Sequence, residues 1–193
     1  MKIGLLGGTF NPIHMGHLVL AQECWYRLGL DKVIFIPAQK PPHKEVEGGV
    51  SAADRLNMVR LATEGDNRFE ISTHEIDSDG TSYSVDTIKH FSQKYGKSSE
   101  LFFLTGSDSA ESISMWKDPE DILRLATFVI ATRPGWGENS PYEGRVKRII
   151  IPAIETSSSM VRQRIRQREP IDYIVPPAVV QYVRQKGLYR DST

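Results

Sequence analysis

The chain has 193 residues, 39% of them hydrophobic, and its 24 basic and 24 acidic side chains balance to a formal net charge of zero. That balance argues against a protein whose main task is to coat nucleic acid, because such binding needs clustered positive charge. The opening residues, MKIGLLGG, hold too short an apolar run for a signal peptide, and no later stretch approaches the roughly 18 apolar residues of a membrane span. We therefore expect a soluble, cytoplasmic protein with no nucleic-acid or membrane partner.

The length also indicates which interactions are needed to stabilise the folded chain. A domain of this size buries roughly 70% of the surface that its unfolded chain exposes, so neither disulfides nor a structural metal are required. The single cysteine, Cys24, cannot form an internal bridge, and we interpret it as a small core residue rather than a nucleophile. We expect one domain over residues 1–193, with a C-terminal helical segment from about residue 156.

Short apolar runs alternate with longer amphipathic segments along the chain. The runs predict buried strands at 3–6, 33–36, 101–104, 128–131 and 149–151. The segments between them predict helices at 16–28, 52–64, 84–95, 108–125 and 157–168, and a last helix that opens with Pro176-Pro177 and closes at Gly187. This alternation predicts an α/β fold with a doubly wound parallel sheet.

Three long loops interrupt the alternation. They cover residues 37–50, residues 77–84, which follow a further short strand, and residues 133–144. All three are rich in Pro, Gly or polar residues. Because long loops in compact α/β domains usually handle ligands, we expect them near the functional site.

The loop after the first predicted strand reads GGTFNPIHMGH over residues 7–17. In an open parallel sheet, ligands bind at the carboxyl ends of the strands, where a helix N-terminus offers free N–H groups to an anion. Gly7, Gly8 and Gly16 allow the backbone to approach a phosphate closely. The loop matches neither the GxGxxG pattern nor a Walker A loop, because the Lys-Ser/Thr pair is missing. It therefore predicts a phosphate site of another kind.

His14 and His17 are three residues apart at the predicted start of a helix. On one helical turn their imidazoles can lie on the same side and donate hydrogen bonds to the same group. Two other interpretations stay open at this point, a pair of satisfied polar histidines and a zinc site. The zinc site is disfavoured because no Cys or third His lies nearby.

A second candidate anion site lies at residues 156–162, TSSSMVR. The serines at 157–159 are candidate N-caps for the next helix, and Arg162 follows one turn later, so that hydroxyl, N–H and guanidinium groups converge. We expect Arg164, Arg166 and Arg168 on the solvated face of that helix. Two anion sites at the strand ends of one sheet suit a polyphosphate that spans them.

Both segments resemble motifs of a known superfamily. Residues 7–17 resemble the GxFxPxHxGH signature of the HxGH nucleotidyltransferases, and residues 156–162 resemble their second motif, ISSTxxR. Thr156 stands where Ile is common, and Ser159 stands where Thr is common. The resemblance implies a Rossmann-like nucleotidyltransferase fold and an enzyme that joins a nucleoside triphosphate to a phosphate-bearing acceptor, with release of pyrophosphate.

Segments in the middle of the chain resemble one particular family within this superfamily. Residues 80–87, GTSYSVDT, are similar to the SYTxDT stretch of bacterial nicotinate-mononucleotide adenylyltransferases, as are the segments at 40–44, 106–108 and 175–189. This resemblance implies adenylyl transfer from ATP to nicotinate mononucleotide in NAD biosynthesis, giving nicotinate adenine dinucleotide. It also implies Mg²⁺ on the polyphosphate, mostly water-ligated, because the chain shows no dedicated carboxylate cage for a metal.

Two alternatives to this function stay open. One is an adenylyltransferase for nicotinamide mononucleotide or another phosphorylated acceptor. The other is a nucleotide sensor that keeps the fold but has lost turnover, which the presence of both histidines, the arginine and the serines disfavours. A homo-oligomer is compatible with each of these functions.

The resemblance divides the candidate site residues into three groups. The catalytic group is His14, His17 and Arg162. The ATP-binding group is Gly7, Gly8, Thr9, Phe10, Gly16, Gly106, Asp108, Ser157, Ser158 and Ser159. The mononucleotide-binding group is Lys40, His43, Lys44, Ser82, Tyr83, Thr87 and Trp116.

Several members of these groups also have structural interpretations. Asp108 is expected to bind a ribose hydroxyl, although it could equally cap a helix. Lys40 and Lys44 would reach phosphate or lie on a solvated basic loop, and Trp116 would stack on the pyridine ring or pack in the core. The segment from Ser82 to Thr87 would donate hydrogen bonds to a ring carboxylate, which predicts the acid as acceptor over the amide.

Overall fold

The computed structural model describes residues 1–42, 46–107, 113–132, 144–152 and 154–190. Within these ranges six strands form one sheet in the order β3-β2-β1-β4-β5-β6, and every neighbouring pair is parallel. The strands are β1 (Lys2–Gly8), β2 (Lys32–Pro37), β3 (Phe69–Ile71), β4 (Glu100–Gly106), β5 (Thr127–Thr132) and β6 (Val146–Ile150). This order is that of a doubly wound, Rossmann-like sheet, so the predicted fold class is confirmed.

Helices cover both faces of the sheet. They are α1 (Met15–Leu28), α2 (Ala52–Thr63), α3 (Ser84–Tyr95), α4 (Pro119–Leu125), α5 (Ser158–Arg166) and α6 (Pro177–Lys186). Helices α1, α2, α5 and α6 contribute to a hydrophobic cluster on one face, whereas α3 and α4 contribute to the cluster on the other. The inner strands are therefore buried on both sides, which explains why they appear in the sequence as continuous apolar runs.

The structure differs from the sequence-based elements in two places. The short strand expected before residue 77 is present as β3, which pairs with β2 at the edge of the sheet, but the last strand, predicted at 149–151, is β6 and begins already at Val146. The helix predicted over 108–125 is wrong in the described part, because residues 113–115 form a 3₁₀ turn and α4 begins only at Pro119. Asp118 has a left-handed φ of 48°, and proline disfavours the helical conformation in the residue before it.

The ends of the last two helices follow the sequence signals. Ser157 caps α5, and its hydroxyl accepts a hydrogen bond of 3.1 Å from the N–H of Met160. Helix α6 begins at Pro177 and is closed by Gly187, whose φ of 63° requires the left-handed region that glycine adopts without strain. Cys24 is fully buried in the core, where burial raises its pKa to about 12, which agrees with its interpretation as a core residue. In the described part of the chain no helix combines the length and the apolar character needed to cross a membrane.

Candidate functional site

A pocket of about 420 Å³ lies at the carboxyl ends of β1 and β4, the neighbouring strands between which the strand order reverses. Ligands of doubly wound sheets bind at this position. The structure brings to this pocket every described residue of the predicted catalytic and ATP-binding groups. These are Gly7, Gly8, Thr9, Phe10, His14, Gly16, His17, Gly106, Ser157, Ser158, Ser159 and Arg162.

His14 and His17 lie side by side at the N-terminus of α1. The main-chain N–H of His14 donates a hydrogen bond of 3.2 Å to Nδ1 of His17, and the two ring centroids are 3.8 Å apart. Because Nδ1 of His17 accepts, the proton of the neutral ring is on Nε2, where it can be donated. The spacing of three residues therefore gives the arrangement that the sequence predicted.

His14 is buried in the wall of the pocket. Only 6% of the residue is exposed, and in the capping box of α1 its side chain faces the main-chain N–H of His17. Burial lowers the pKa of His14 to about 4, so that the ring is neutral near pH 7. Because Nδ1 of His14 has no exposed surface, this nitrogen does not face a ligand in the pocket.

Gly16 allows the two motifs to approach each other. A Cβ at this position would lie 3.1 Å from Nδ1 and Cε1 of His14 and 3.1 Å from Cγ2 of Thr156. These separations are shorter than normal contacts, so a larger residue would push the second motif away from the first. Gly16 is therefore needed for close packing in addition to any role in phosphate approach.

Arg162 is the buried cation of the second motif. Its Nη1 donates to the carbonyl oxygen of Asn11 at 2.9 Å, and its Nη2 donates to Oγ of Ser159 at 3.2 Å. The same Nη2 lies 2.9 Å from Oε2 of Glu47, an exposed carboxylate that also lines the pocket. In this structure, a carboxylate therefore pairs with the guanidinium that the sequence assigns to an anionic ligand.

Asn11 and Glu47 are pocket residues that the sequence analysis did not single out. The side chain of Asn11 donates to the carbonyl oxygen of Glu47 at 2.9 Å and accepts from the hydroxyl of Tyr189 at 2.8 Å. Asn11 lies within the first motif, so its position was a usable signal. Glu47 lies in a polar loop, and no local pattern marks it.

The three serines have different partners. Ser157 caps α5, whereas Oγ of Ser158 donates to the carbonyl oxygen of Pro12 at 2.9 Å and Oγ of Ser159 accepts from Arg162. Two of the three hydroxyls thus join the two motifs to each other or orient the arginine. The main-chain N–H groups of the first turn of α5 are the groups left without intrahelical partners.

Arg55 is a second buried cation behind the pocket. It is 1% exposed, and it donates to the carbonyl oxygens of Thr9 at 2.8 Å and Gln39 at 3.1 Å. Among the described residues no carboxylate forms an ion pair with it, and burial lowers its pKa. Arg55 therefore holds together the loops that follow β1 and β2.

The described residues of the mononucleotide-binding group lie outside the lining of this pocket. The N–H of Ser82 donates to the carbonyl oxygen of Lys40 at 2.9 Å, and Oγ of Ser82 accepts from the N–H of Gln39 at 3.0 Å. The structure therefore brings Lys40, Ser82, Tyr83 and Thr87 together beside the end of β2. His43, Lys44 and Asp108 lie outside the described residues.

Trp116 packs edge-on against the face of the sheet that α3 and α4 cover. Its ring centroid is 5.9 Å from that of Phe103 and 5.8 Å from that of Phe128, at steep interplanar angles. The neighbouring Lys117 pairs with Asp86 in the first turn of α3 at 3.0 Å. Trp116 thus packs partly in the core, near the helix that begins in the Ser82–Thr87 segment.

The sheet, the reversal point and the two joined motifs define a nucleotidyltransferase, and the comparisons with known proteins agree. The family model described as cytidylyltransferase-like matches residues 5–164. A protein of Moorella thermoacetica named "Probable nicotinate-nucleotide adenylyltransferase" is 43% identical over 199 residues, which cover 98% of this chain and 92% of the relative. The nicotinate-nucleotide adenylyltransferase of Bacillus subtilis is 38% identical, with 97% of this chain and 98% of the relative covered.

A solved structure shows the same fold at lower sequence identity. The nicotinic acid mononucleotide adenylyltransferase of Plasmodium falciparum, complexed with NaAD, superposes with a TM-score of 0.79 at 18% identity and covers 97% of both chains. The chain belongs to the cytidylyltransferase-like family and, within it, to the family of nicotinate-nucleotide adenylyltransferases.

The burial of His14 predicts a loss of stability in acid. Its pKa of about 4 in the folded protein lies below the ordinary value of 6.5, so the unfolded chain binds more protons between these values and stability falls as the pH falls from 6.5 towards 4. Between pH 7 and pH 5 we expect the wild type to lose about 2 kcal/mol more unfolding free energy than His14→Gln. Urea unfolding at both pH values measures this difference, and parallel pH dependences would show that His14 titrates normally.

Proposed function

We propose that this protein transfers the adenylyl group of ATP to nicotinate mononucleotide, giving nicotinate adenine dinucleotide and pyrophosphate. The observation that carries the proposal is the single pocket that unites residues 7–17 with residues 157–162 at the reversal point of the sheet. The named relatives support the choice of acceptor, because their similarity extends over nearly the whole chain. We further propose that residues 1–193 act as one domain in the cytoplasm.

The reaction is a direct in-line displacement. A phosphate oxygen of the mononucleotide attacks the α-phosphorus of ATP, and the bond from that phosphorus to the bridging oxygen breaks, so that pyrophosphate leaves with the electron pair. The acceptor phosphate is largely ionised near neutral pH, so no general base is required. Catalysis then consists of positioning and of neutralising charge on the phosphates.

The first motif supplies uncharged hydrogen-bond donors for the α-phosphate. His17 donates from Nε2, and His14, whose neutral ring also carries one N–H, supplies a second donor beside it. Gly7, Gly8, Thr9, Phe10 and Gly106 line the pocket, and their main chain approaches the nucleotide. Because these donors are fixed before the substrate binds, they stabilise developing charge without reorganisation.

The second motif binds the leaving pyrophosphate. Arg162 is held by Asn11 and Ser159, so its guanidinium is oriented in advance. The N–H groups at the start of α5, with Ser157, Ser158 and Ser159, add further donors near the same point. When ATP binds, a phosphate takes the place of the Glu47 carboxylate on Arg162.

We propose that Mg²⁺ enters with the ATP as part of the substrate. In the described part of the chain no group of three metal-ligating side chains is found, and the pocket contains one carboxylate, Glu47, which is paired with Arg162. This donor set fits an ion held mainly by phosphate oxygens and water. When bound, the ion neutralises negative charge on the polyphosphate.

The mononucleotide lies beside the end of β2 and the start of α3. Lys40, with His43 and Lys44, binds its phosphate, Trp116 contacts the pyridine ring, and the Ser82–Thr87 segment with Tyr83 receives the ring carboxylate. Support comes from the hydrogen bond between Ser82 and Lys40 and from the ion pair that joins Lys117 to α3. Trp116 would have to use the face that does not contact Phe103 and Phe128.

The proposal predicts pyrophosphate release with the acid mononucleotide as preferred acceptor. A site that donates to a carboxylate leaves the NH₂ group of an amide opposite other donors, so kcat/KM for nicotinate mononucleotide should exceed that for nicotinamide mononucleotide at least about 10²-fold. The assay combines the protein, ATP, Mg²⁺ and either mononucleotide, and it measures pyrophosphate. Equal kcat/KM with both mononucleotides would support adenylyl transfer but contradict selection of the acid. ATP binding without pyrophosphate release would indicate a nucleotide sensor.

Arg162 and Arg166 form a matched pair on α5. Both lie near Glu47, at 2.9 Å and 3.6 Å, but Arg162 is buried in the pocket whereas Arg166 is exposed. Arg162→Ala should lower kcat/KM for ATP about 10²-fold, and Arg166→Ala should lower it less than about threefold. Steady-state kinetics of both variants decide this, and equal losses would contradict the second anion site.

Glu47 should compete with ATP for Arg162. Because its carboxylate pairs with the arginine and lines the pocket, Glu47→Gln should lower the KM for ATP about three- to tenfold through removal of an internal competitor and of a repelling charge. Glu169→Gln is the control, since Glu169 pairs at 3.4 Å with Arg164 and does not line the pocket. A KM for ATP that stays constant or rises in Glu47→Gln would show that no exchange takes place.

A further inference from the structure

Glu75 is the most buried acidic side chain in the described structure, although it belongs to neither motif. It lies in the loop between β3 and α3 and is 8% exposed. Its Oε1 accepts a hydrogen bond of 2.5 Å from the hydroxyl of Thr87, and the nearby hydroxyl of Ser82 lowers the pKa of the carboxyl group against the larger effect of burial. A buried carboxyl group is costly unless it is hydrogen-bonded, so the contact with Thr87 is expected to be well maintained.

Ser82 and Thr87 lie at the two ends of the segment proposed to select the acceptor. Ser82 begins this segment, and it is joined to the loop after β2 through Gln39 and Lys40. Thr87 ends it, in the first turn of α3, where the residue is buried. Through Thr87, Glu75 thus holds the start of α3 against the loop that follows β3.

The contact with Glu75 occupies the hydroxyl of Thr87. Thr87 donates its only hydroxyl proton to Glu75, so this hydroxyl is not a direct donor to a ring substituent, which revises the role expected from the sequence. In the first turn of α3, the N–H groups of Asp86 and Thr87 donate to the carbonyl oxygen of Tyr83. The N–H groups at the very start of the helix lack intrahelical partners and suit a carboxylate.

We propose that Glu75 is the positioning residue that makes the acceptor segment selective for an acid over an amide. Through Thr87 it fixes the first turn of α3, so that the N–H groups at the start of this helix are held in place beside the acceptor. A carboxylate gains charge-assisted hydrogen bonds from these groups, whereas a neutral amide does not. The inference rests on the function proposed above and adds the residue that determines its specificity.

The test compares Glu75→Ala with Glu75→Gln and with Asp77→Ala. Asp77 is an exposed carboxylate of the same loop that accepts from Thr73 at 2.6 Å, so it controls for a general change of the loop. For Glu75→Ala we expect the ratio of kcat/KM for the acid to that for the amide to fall at least about tenfold, while the KM for ATP changes less than about twofold. Glu75→Gln retains an oxygen that accepts from Thr87, so it should keep the ratio within about threefold of wild type, as should Asp77→Ala.

Thr87→Val is a second variant that tests the same contact if Glu75→Ala does not fold. It removes the same hydrogen bond from the other side, and circular dichroism with thermal unfolding shows whether each variant is folded. A folded variant of either kind that keeps the wild-type ratio overturns the inference, and so does an equal loss with acid, amide and ATP. If the wild type transfers the adenylyl group to neither acceptor, the proposed function itself fails. This outcome differs from the one that overturns only the inference, in which wild type and variant both transfer it and prefer the acid to the same degree.

Discussion

The hydrogen bond from the buried guanidinium of Arg162 to the carbonyl oxygen of Asn11 joins residues 151 positions apart, and the pocket depends on it. Burying a guanidinium is costly unless it is hydrogen-bonded, so this bond fixes the position of α5 relative to the loop after β1. Ser158 reinforces the connection through Pro12, and Gly16 allows the approach of Thr156. The same contacts that hold the C-terminal part of the chain in place therefore also assemble the pocket that we propose to bind phosphate.

The sheet could be predicted because its physical signal is local. Strands buried on both faces must be apolar at successive positions, and this gave the runs at 3–6, 33–36, 101–104 and 128–131. Strand β3 has only three residues and an exposed Glu70, so its apolar signal is weaker, and the sequence predicted a short strand there without its bounds. The break before α4 depends on the left-handed conformation of Asp118 before Pro119, which hydrophobic periodicity does not reveal.

The site could be predicted in part for a related reason. Motif residues act through short-range geometry, such as two histidines on one turn or a serine cap followed by an arginine, and these patterns are visible in the sequence. Arg55, Glu47 and Glu75 act through contacts with residues that lie 12 to 115 positions away. Isolated charged residues in such segments usually lie in solvent, so only the folded chain distinguishes these three from their neighbours.

The charges of the pocket are arranged to favour a polyanion. Arg55 and Arg162 are both buried, yet among the described residues the one carboxylate that pairs with either of them is Glu47, which is more than half exposed. The two histidines add hydrogen-bond donors, and His14 adds no charge near pH 7, because burial lowers its pKa. The positive charge of the free protein is therefore only partly neutralised in a region where water screens little. In the proposed function a triphosphate supplies the missing negative charge, and it gains more from Arg162 than from an exposed arginine of the same helix.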